Sequence, residues 1–325
     1  MYEGESTLHA PAALRDAVRF DSGGWRRFAE LGCVYGPEWW KRWSPPVIAA
    51  IVYAIAKDRR AVVRRNQNQV RGAGRGWLRE RWDTYRVFAE FARSLTEGME
   101  QWGPRPKPLD FSIDHEPLVI DALKEGRGLV MLTGHFGSWE VGARVLSRLG
   151  RPVNLVTAHE SNPTVQEFVH KMRTRHGFKV IYSDRSLLTG LPVLHALRRH
   201  EIVCMQIEPW GPLPGSHTVD FFGRPALFQF GPFAVARAAR APLAAVFIER
   251  TGIRQYIYRV AGVFRPTTRA ESIAALESVA ALYETLVRRI PEQWLMFEDV
   301  WTEAAAQAAA ESQEMVAQAV GLRRR

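Results

Sequence analysis

A chain of 325 residues, 46% of them hydrophobic and 24% charged, has a globular composition and the length to bury a full core, which excludes wholesale disorder. The formal net charge of +10 points to polyanionic partners: nucleic acid, anionic lipid headgroups or phosphorylated substrates. Only two cysteines occur, Cys33 and Cys204, neither in metal-ligand spacing, so a disulfide framework is not expected and a reducing compartment fits.

Residues 1–20 carry acidic side chains and lack the basic-then-apolar order of a signal peptide. No stretch reaches the roughly 18 apolar residues of a spanning helix, and the most apolar one, 46–56, has about half that length. The chain is therefore not expected to cross a membrane by itself. Residues 1–105 read as a helical region. Trp39-Trp40-Lys41-Arg42-Trp43 precedes the short apolar helix, and 57–81 then carries nine basic residues against two acidic ones. Indole rings settle at headgroup depth while neighbouring cations meet phosphates, so this region is read as a segment that associates with an anionic membrane surface. The plainer reading is a core helix followed by a solvated basic one.

From about residue 111 the pattern changes. Apolar runs at 128–133, 152–156, 178–181 and 202–205 read as buried strands, separated by helical patterns at 139–149, 162–176 and 187–200. Such alternation predicts an α/β fold with a mostly parallel central sheet flanked by helices. A helix at 230–240, strands at 243–248 and 256–260 and a long helix at 270–289 complete a core assigned to 106–302. The Ala-rich segment 303–325, ending in Arg323-Arg324-Arg325, reads as a peripheral helix or tail.

The chemistry concentrates in Gly134-His135-Phe136-Gly137-Ser138-Trp139-Glu140, which directly follows a strand and opens a helix. A His at the carboxyl end of a parallel strand lies at the usual site edge of an α/β sheet. Gly134 and Gly137 are expected to leave room for a substrate to approach the backbone. A neutral imidazole there can take the proton of an attacking hydroxyl, and a thioester donor needs neither a covalent nucleophile nor a metal. The oxyanion formed on the thioester carbonyl needs donors, expected from the glycine-rich turn or a nearby Arg.

This segment resembles the His-x4-Asp/Glu motif of the lysophospholipid acyltransferase superfamily. More narrowly, it resembles the lipid A biosynthesis (lauroyl/myristoyl) acyltransferase family, which includes phosphatidylinositol mannoside acyltransferases; Ser138 stands where that family usually has Asn. Further blocks match in order. Arg59-Arg60-Ala61-Val62-Val63-Arg64-Arg65-Asn66 is similar to the family's basic stretch ending in Asn, and Arg173-Thr174-Arg175-His176-Gly177 to its Arg-x-Arg-x-Gly helix end. Val219-Asp220-Phe221-Phe222-Gly223-Arg224 resembles its Val-Pro-Phe-Phe-Gly block, with Asp220 in place of Pro. Pro291-Glu292-Gln293-Trp294 resembles its closing Pro-Glu-Gln-Tyr, after which Leu295-Met296-Phe297-Glu298-Asp299 departs from the family pattern.

The resemblance implies O-acyl transfer from acyl-CoA or an acyl carrier protein to a hydroxyl of a membrane glycolipid, with no cofactor and no metal, at the cytoplasmic face of the bacterial inner membrane as a peripheral protein. His135 would be the base. In the mannoside branch a second carboxylate further along orients that His, and Glu208, 208 − 135 = 73 residues downstream after the strand at 202–205, takes this place. Glu140 would hold the turn through Arg173 or Arg175. Gly137, Ser138 and Trp139 would border the substrate, and Phe221, Phe222, Gly223 and Arg224 would shape the acceptor pocket.

Two other classes fit less well. Nucleic-acid binding would suit the charge, but the basic residues lie beside Trp and an apolar helix rather than in a recognised motif, which argues against it. Hydrolysis lacks a Gly-x-Ser-x-Gly elbow and any metal-spaced His/Cys/Asp set. A basic membrane- or nucleic-acid-binding protein that keeps the fold without activity remains the alternative.

Overall fold

In the computed structural model, which describes residues 32–104, 106–159, 163–183, 190–209, 215–303 and 305–307, three helices precede the sheet. They are α1 (Glu38–Ile55), α2 (Lys57–Arg71) and α3 (Trp77–Trp102). The tryptophan segment and the short apolar helix form one helix, because α1 runs through Pro45 and Pro46. Each proline lacks an N–H and its ring crowds the carbonyl one turn back, and packing of α1 along α3 holds the helix against this cost. The terminal segments 1–31 and 308–325 lie outside the described residues, and with them most of the expected C-terminal helix.

The helical layer is fixed to the rest by charge as well as packing. Glu90, Glu97 and Glu100 of α3 take up Arg250 and Arg254: Arg250 Nη2 lies 2.8 Å from Glu97 Oε1, and Arg254 Nη2 donates to Glu100 Oε1 at 2.9 Å. Three carboxylates two turns and then one turn apart face the same side of a helix, which is why one face of α3 can hold two guanidinium groups.

The sheet then assembles in chain order: β1 (Asp110–Asp114), α4 (Glu116–Lys124), β2 (Leu129–Thr133), α5 (Trp139–Leu146), β3 (Val153–Ala158), α6 (Pro163–Arg175), β4 (Lys179–Ser183), α7 (Gly190–Arg198) and β5 (Ile202–Gln206). After a hairpin of β6 (Ser216–Phe221) and β7 (Arg224–Gln229) come α8 (Gly231–Ala239), β8 (Leu243–Gly252), β9 (Gln255–Phe264) and α9 (Arg269–Arg289). Seven strands form the main sheet in the order β1-β9-β8-β2-β5-β3-β4, parallel everywhere except between β8 and β9. The α/β fold with a mostly parallel sheet is as expected. β2 reads Leu-Val-Met-Leu-Thr because it is central, with its first four residues buried.

The strand β1, the helix α4 and the β6–β7 hairpin lie outside the sequence-based expectation. β1 is an edge strand, Asp-Phe-Ser-Ile-Asp, too short and too polar to show a buried apolar run. The β6–β7 hairpin falls between the strand read at 202–205 and the helix read at 230–240, where no strand is expected, and its two turn residues, Phe222 (φ 57°) and Gly223 (φ 73°), both adopt the left-handed conformation. That is the backbone of a two-residue hairpin turn whose twist matches the strands it joins.

Candidate active site

β2 and β5 are neighbours, and their last residues, Thr133 and Gln206, stand opposite each other. His135 is the second residue past β2 and Glu208 the second past β5, so both reach the carboxyl edge of the sheet at the same height. Nδ1 of His135 lies 3.4 Å from Oε1 of Glu208, whose side chain is wholly buried while the imidazole is 23% exposed. The same Oε1 accepts the backbone N–H of His135, and the Tyr283 hydroxyl of α9 donates to it at 3.4 Å. Burial, and after it the Glu208 carboxylate, push the Tyr283 hydroxyl well above its ordinary range, so it stays a donor. Glu208 is thus positioned from three sides, and a carboxylate on Nδ1 keeps that nitrogen protonated and leaves Nε2 as the basic one.

The glycines of the turn do something other than expected. A Cβ on Gly137 would lie 1.9 Å from the carbonyl oxygen of Ile248, and one on Gly134 would lie 2.6 Å from the Tyr283 hydroxyl and 2.9 Å from Glu208 Oε1. The space is filled by the protein's own groups: the glycines let the turn press on β8 and on the Glu208–Tyr283 pair rather than opening the backbone to a substrate. Gly137 also has φ 58°, a conformation that disfavours any side chain.

The closing block clamps this turn. Leu295 N–H donates to the His135 carbonyl at 2.7 Å and Gly137 N–H to the Gln293 carbonyl at 2.9 Å, so 293–295 runs like an added strand beside 135–137. The Gln293 side chain in turn donates to the Arg250 carbonyl at 2.6 Å and accepts the Arg250 N–H at 2.9 Å. On the other side, Glu140 in the first turn of α5 meets Arg173 in the last turn of α6 at 3.0 Å. The pair forms with Arg173; Arg175, two residues on, is exposed.

A cavity enclosing about 690 Å³, part of it open to solvent, lies between one face of the sheet and α5. Alternate strand residues, Met131 and Thr133 on β2 and Cys204 and Gln206 on β5, form its floor, and Trp139, Gly142 and Leu146 of α5 cover it. Toward Met131, Leu146 and Leu155 the lining is apolar; toward Thr133, Gln206 and the Glu140–Arg173 pair it is polar. The cavity reaches the imidazole through two residues that touch it: Trp139, edge-on at 4.6 Å between ring centroids, and Gln206, whose Nε2 is 3.2 Å from His135 Nε2. Burial pushes the Cys204 thiol up to about 12, so it is an apolar wall here and not a nucleophile.

A family model described as bacterial lipid A biosynthesis acyltransferase matches residues 37–303. The chain belongs to that family. It is accordingly an enzyme of the transferase class, with acyl transfer on a lipid as its activity. No curated protein matches the chain. Among the described residues no helix is long and apolar enough to cross a membrane.

Within this family member, the remaining sequence-selected residues fall in two places. Ser138 is wholly buried at the start of α5. Phe221 and Phe222 are not at the cavity: they are buried with Trp294, Trp301 and Tyr283, with the Phe221 and Tyr283 rings stacked at 6.2 Å between centroids. Phe221 backs Glu208 through Tyr283 and Phe222 stacks on Trp294, while Gly223 and Arg224 at the hairpin tip are exposed. The basic stretch of α2 is half absorbed by the closing block: Arg59 donates to the Phe297 carbonyl at 2.9 Å, Arg65 pairs with Asp299 at 2.6 Å, Arg71 with Glu292 at 2.8 Å, and Asn66 donates to the Glu298 carbonyl at 2.8 Å. The unusual Glu298 and Asp299 thereby have local partners.

Sequence reasoning missed Tyr283 and gave Gln206 and Gln293 no role. Tyr283 is a single polar atom on the apolar face of a long helix, with no local signal. Gln206 could have been found, since it ends the strand next to the one carrying the His motif.

Proposed function

We propose that this enzyme moves a fatty acyl chain from a thioester, acyl-CoA or acyl carrier protein, to a hydroxyl of a membrane glycolipid, with His135 as general base. The observation that carries the reading is the buried Glu208 carboxylate 3.4 Å from Nδ1, with Nε2 3.2 Å from the amide of Gln206, a residue of the cavity lining. Nε2 takes the proton of the acceptor hydroxyl while its oxygen attacks the thioester carbonyl carbon and the carbonyl π pair moves onto oxygen. Collapse of this intermediate re-forms the carbonyl, breaks the C–S bond and returns the proton from the imidazolium to the departing thiolate. Glu208 stabilises the imidazolium in between. The acyl chain lies along the cavity beneath α5, whose inner end is apolar.

The membrane supplies the acceptor, and α1 offers a surface for it. Trp39, Trp43, Val47, Ile51 and Ile55 recur every fourth residue and are each more than half exposed, and Trp77, Leu78 and Trp82 at the start of α3 are as exposed. Arg42 lies over Trp43 at 5.6 Å and Arg81 over Trp77 at 4.9 Å, which seats cations where the rings meet headgroups. This favours an anionic bilayer as the partner. The opposite side of the same helical layer packs with Trp139, beside His135.

The test is to incubate the purified protein with radiolabelled palmitoyl-CoA and bacterial lipid extract. An alkali-labile acylated glycolipid supports the proposal. Label found only in free fatty acid, with the acyl carrier protein donor as well as with CoA, contradicts it. Binding to anionic vesicles but not to neutral ones or duplex DNA supports the membrane surface.

A further inference from the structure

Charge develops on the thioester carbonyl oxygen, and several of the donors expected for it are in use. The backbone N–H of His135 is donated to Glu208 and that of Gly137 to Gln293, and Arg173 gives Nη2 to Glu140 while its buried Nε has no partner among the described residues. Two uncharged donors remain at the polar end of the cavity, on facing residues of neighbouring strands. Gln206 presents its amide nitrogen 3.2 Å from His135 Nε2, and the amide carries two hydrogens, of which that nitrogen can accept one. Thr133, opposite Gln206 in the parallel ladder, has a buried hydroxyl with no hydrogen-bond partner among the described residues. Both side chains line the cavity that reaches the imidazole. A buried hydroxyl left unpaired costs free energy, and such groups in folded proteins call for an explanation.

We propose that the Gln206 amide and the Thr133 hydroxyl form the oxyanion hole of this acyltransferase. The proposal rests on the transferase reading and adds what that reading lacks, the groups that stabilise the tetrahedral intermediate. Before the acceptor arrives, Gln206 donates to Nε2 and so reinforces the tautomer with its proton on Nδ1. The incoming hydroxyl takes the place of the amide as donor to Nε2. The freed amide N–H then turns to the adjacent carbonyl oxygen, where Thr133 O–H donates from the neighbouring strand. Donors fixed on two hydrogen-bonded strands need little reorganisation as charge appears, and that is the condition under which such groups accelerate acyl transfer.

The test compares Gln206→Ala, Gln206→Glu and Thr133→Val with the wild type in steady-state acyl transfer from palmitoyl-CoA, alongside thermal midpoints. Thr133→Val keeps the shape and removes only the hydroxyl. Expected is a fall in kcat of about 10²- to 10³-fold for Gln206→Ala, a smaller fall for Thr133→Val, and KM for the donor within about threefold. Gln206→Glu places a carboxylate beside the imidazole, favouring the imidazolium, so the acid limb of its pH–rate profile moves to higher pH. A purely structural role predicts lost thermal stability and an unmoved profile. Wild-type kcat in both Gln206→Ala and Thr133→Val overturns the oxyanion hole while leaving the base intact. A wild type without turnover overturns the transferase reading itself, and the oxyanion hole with it.

Discussion

His135 and Glu208 stand two residues beyond strand-end partners, Thr133 and Gln206, that face each other across the β2–β5 ladder. A separation of 73 residues in the chain thereby becomes 3.4 Å between Nδ1 and a buried carboxylate oxygen. The parallel register, rather than either loop, sets the geometry of the pair.

Replacing Glu208 by Gln keeps the shape and removes the charge that favours the imidazolium. Expected is a loss of about 10²- to 10⁴-fold in kcat with the circular dichroism spectrum unchanged, measured by thiol release from palmitoyl-CoA. Undiminished kcat contradicts a role for Glu208 in orienting the base.

At Gly137 the constraint is steric. Its φ is 58° and an added Cβ would meet the Ile248 carbonyl oxygen at 1.9 Å, so Gly137→Ala must displace the turn or β8. The expected cost is about 2 to 4 kcal/mol, seen as a thermal midpoint lowered by roughly 5 to 15 °C. A midpoint equal to wild type shows that the turn relaxes without penalty.

Cys204 lies on the floor of the cavity, opposite Met131 and two residues inward of Gln206 at the polar end. Cys204→Phe fills that space, so turnover of palmitoyl-CoA is expected to fall at least about tenfold while butyryl-CoA, whose chain need not pass, is used as before. Equal loss with both donors places the chain elsewhere.

Acid stability has an identifiable contributor. Burial raises the Glu201 carboxyl, but hydrogen bonds from Arg199, Lys179 and Asn154 outweigh it and hold the group at about 2. The folded value is below that of the unfolded chain, so this stabilisation is complete above about pH 5 and is lost as pH falls toward 2. Denaturant titrations of Glu201→Gln across this range are expected to show a lower plateau at neutral pH and a shallower decline in acid. Curves parallel to wild type contradict the assignment.

Much of this fold and site is legible in the sequence because it depends on local signals. The apolar runs that form β2, β3 and β5 are inner strands of a parallel sheet, where cover on both faces leaves a plain apolar pattern, and the edge strand β4 keeps a short Val-Ile core. His135 and Glu208 follow such strands directly, and the Glu140–Arg173 pair joins a helix start to a helix end. What stayed hidden depends on contacts between distant segments. Nothing near Gly134 shows that its missing Cβ makes room for Tyr283, and nothing near Phe221 shows that the pair turns into the core instead of the cavity. The fate of the basic stretch was equally non-local, since Arg59 and Arg65 are met by acids more than two hundred residues on.

The most direct test of the central claim is thiol release and lipid acylation by His135→Ala beside wild type, with matched thermal midpoints, palmitoyl-CoA and bacterial lipid. Expected is lipid-stimulated turnover in the wild type and a loss of at least about 10³-fold in a folded His135→Ala protein. A folded His135→Ala protein with wild-type turnover contradicts His135 as the base.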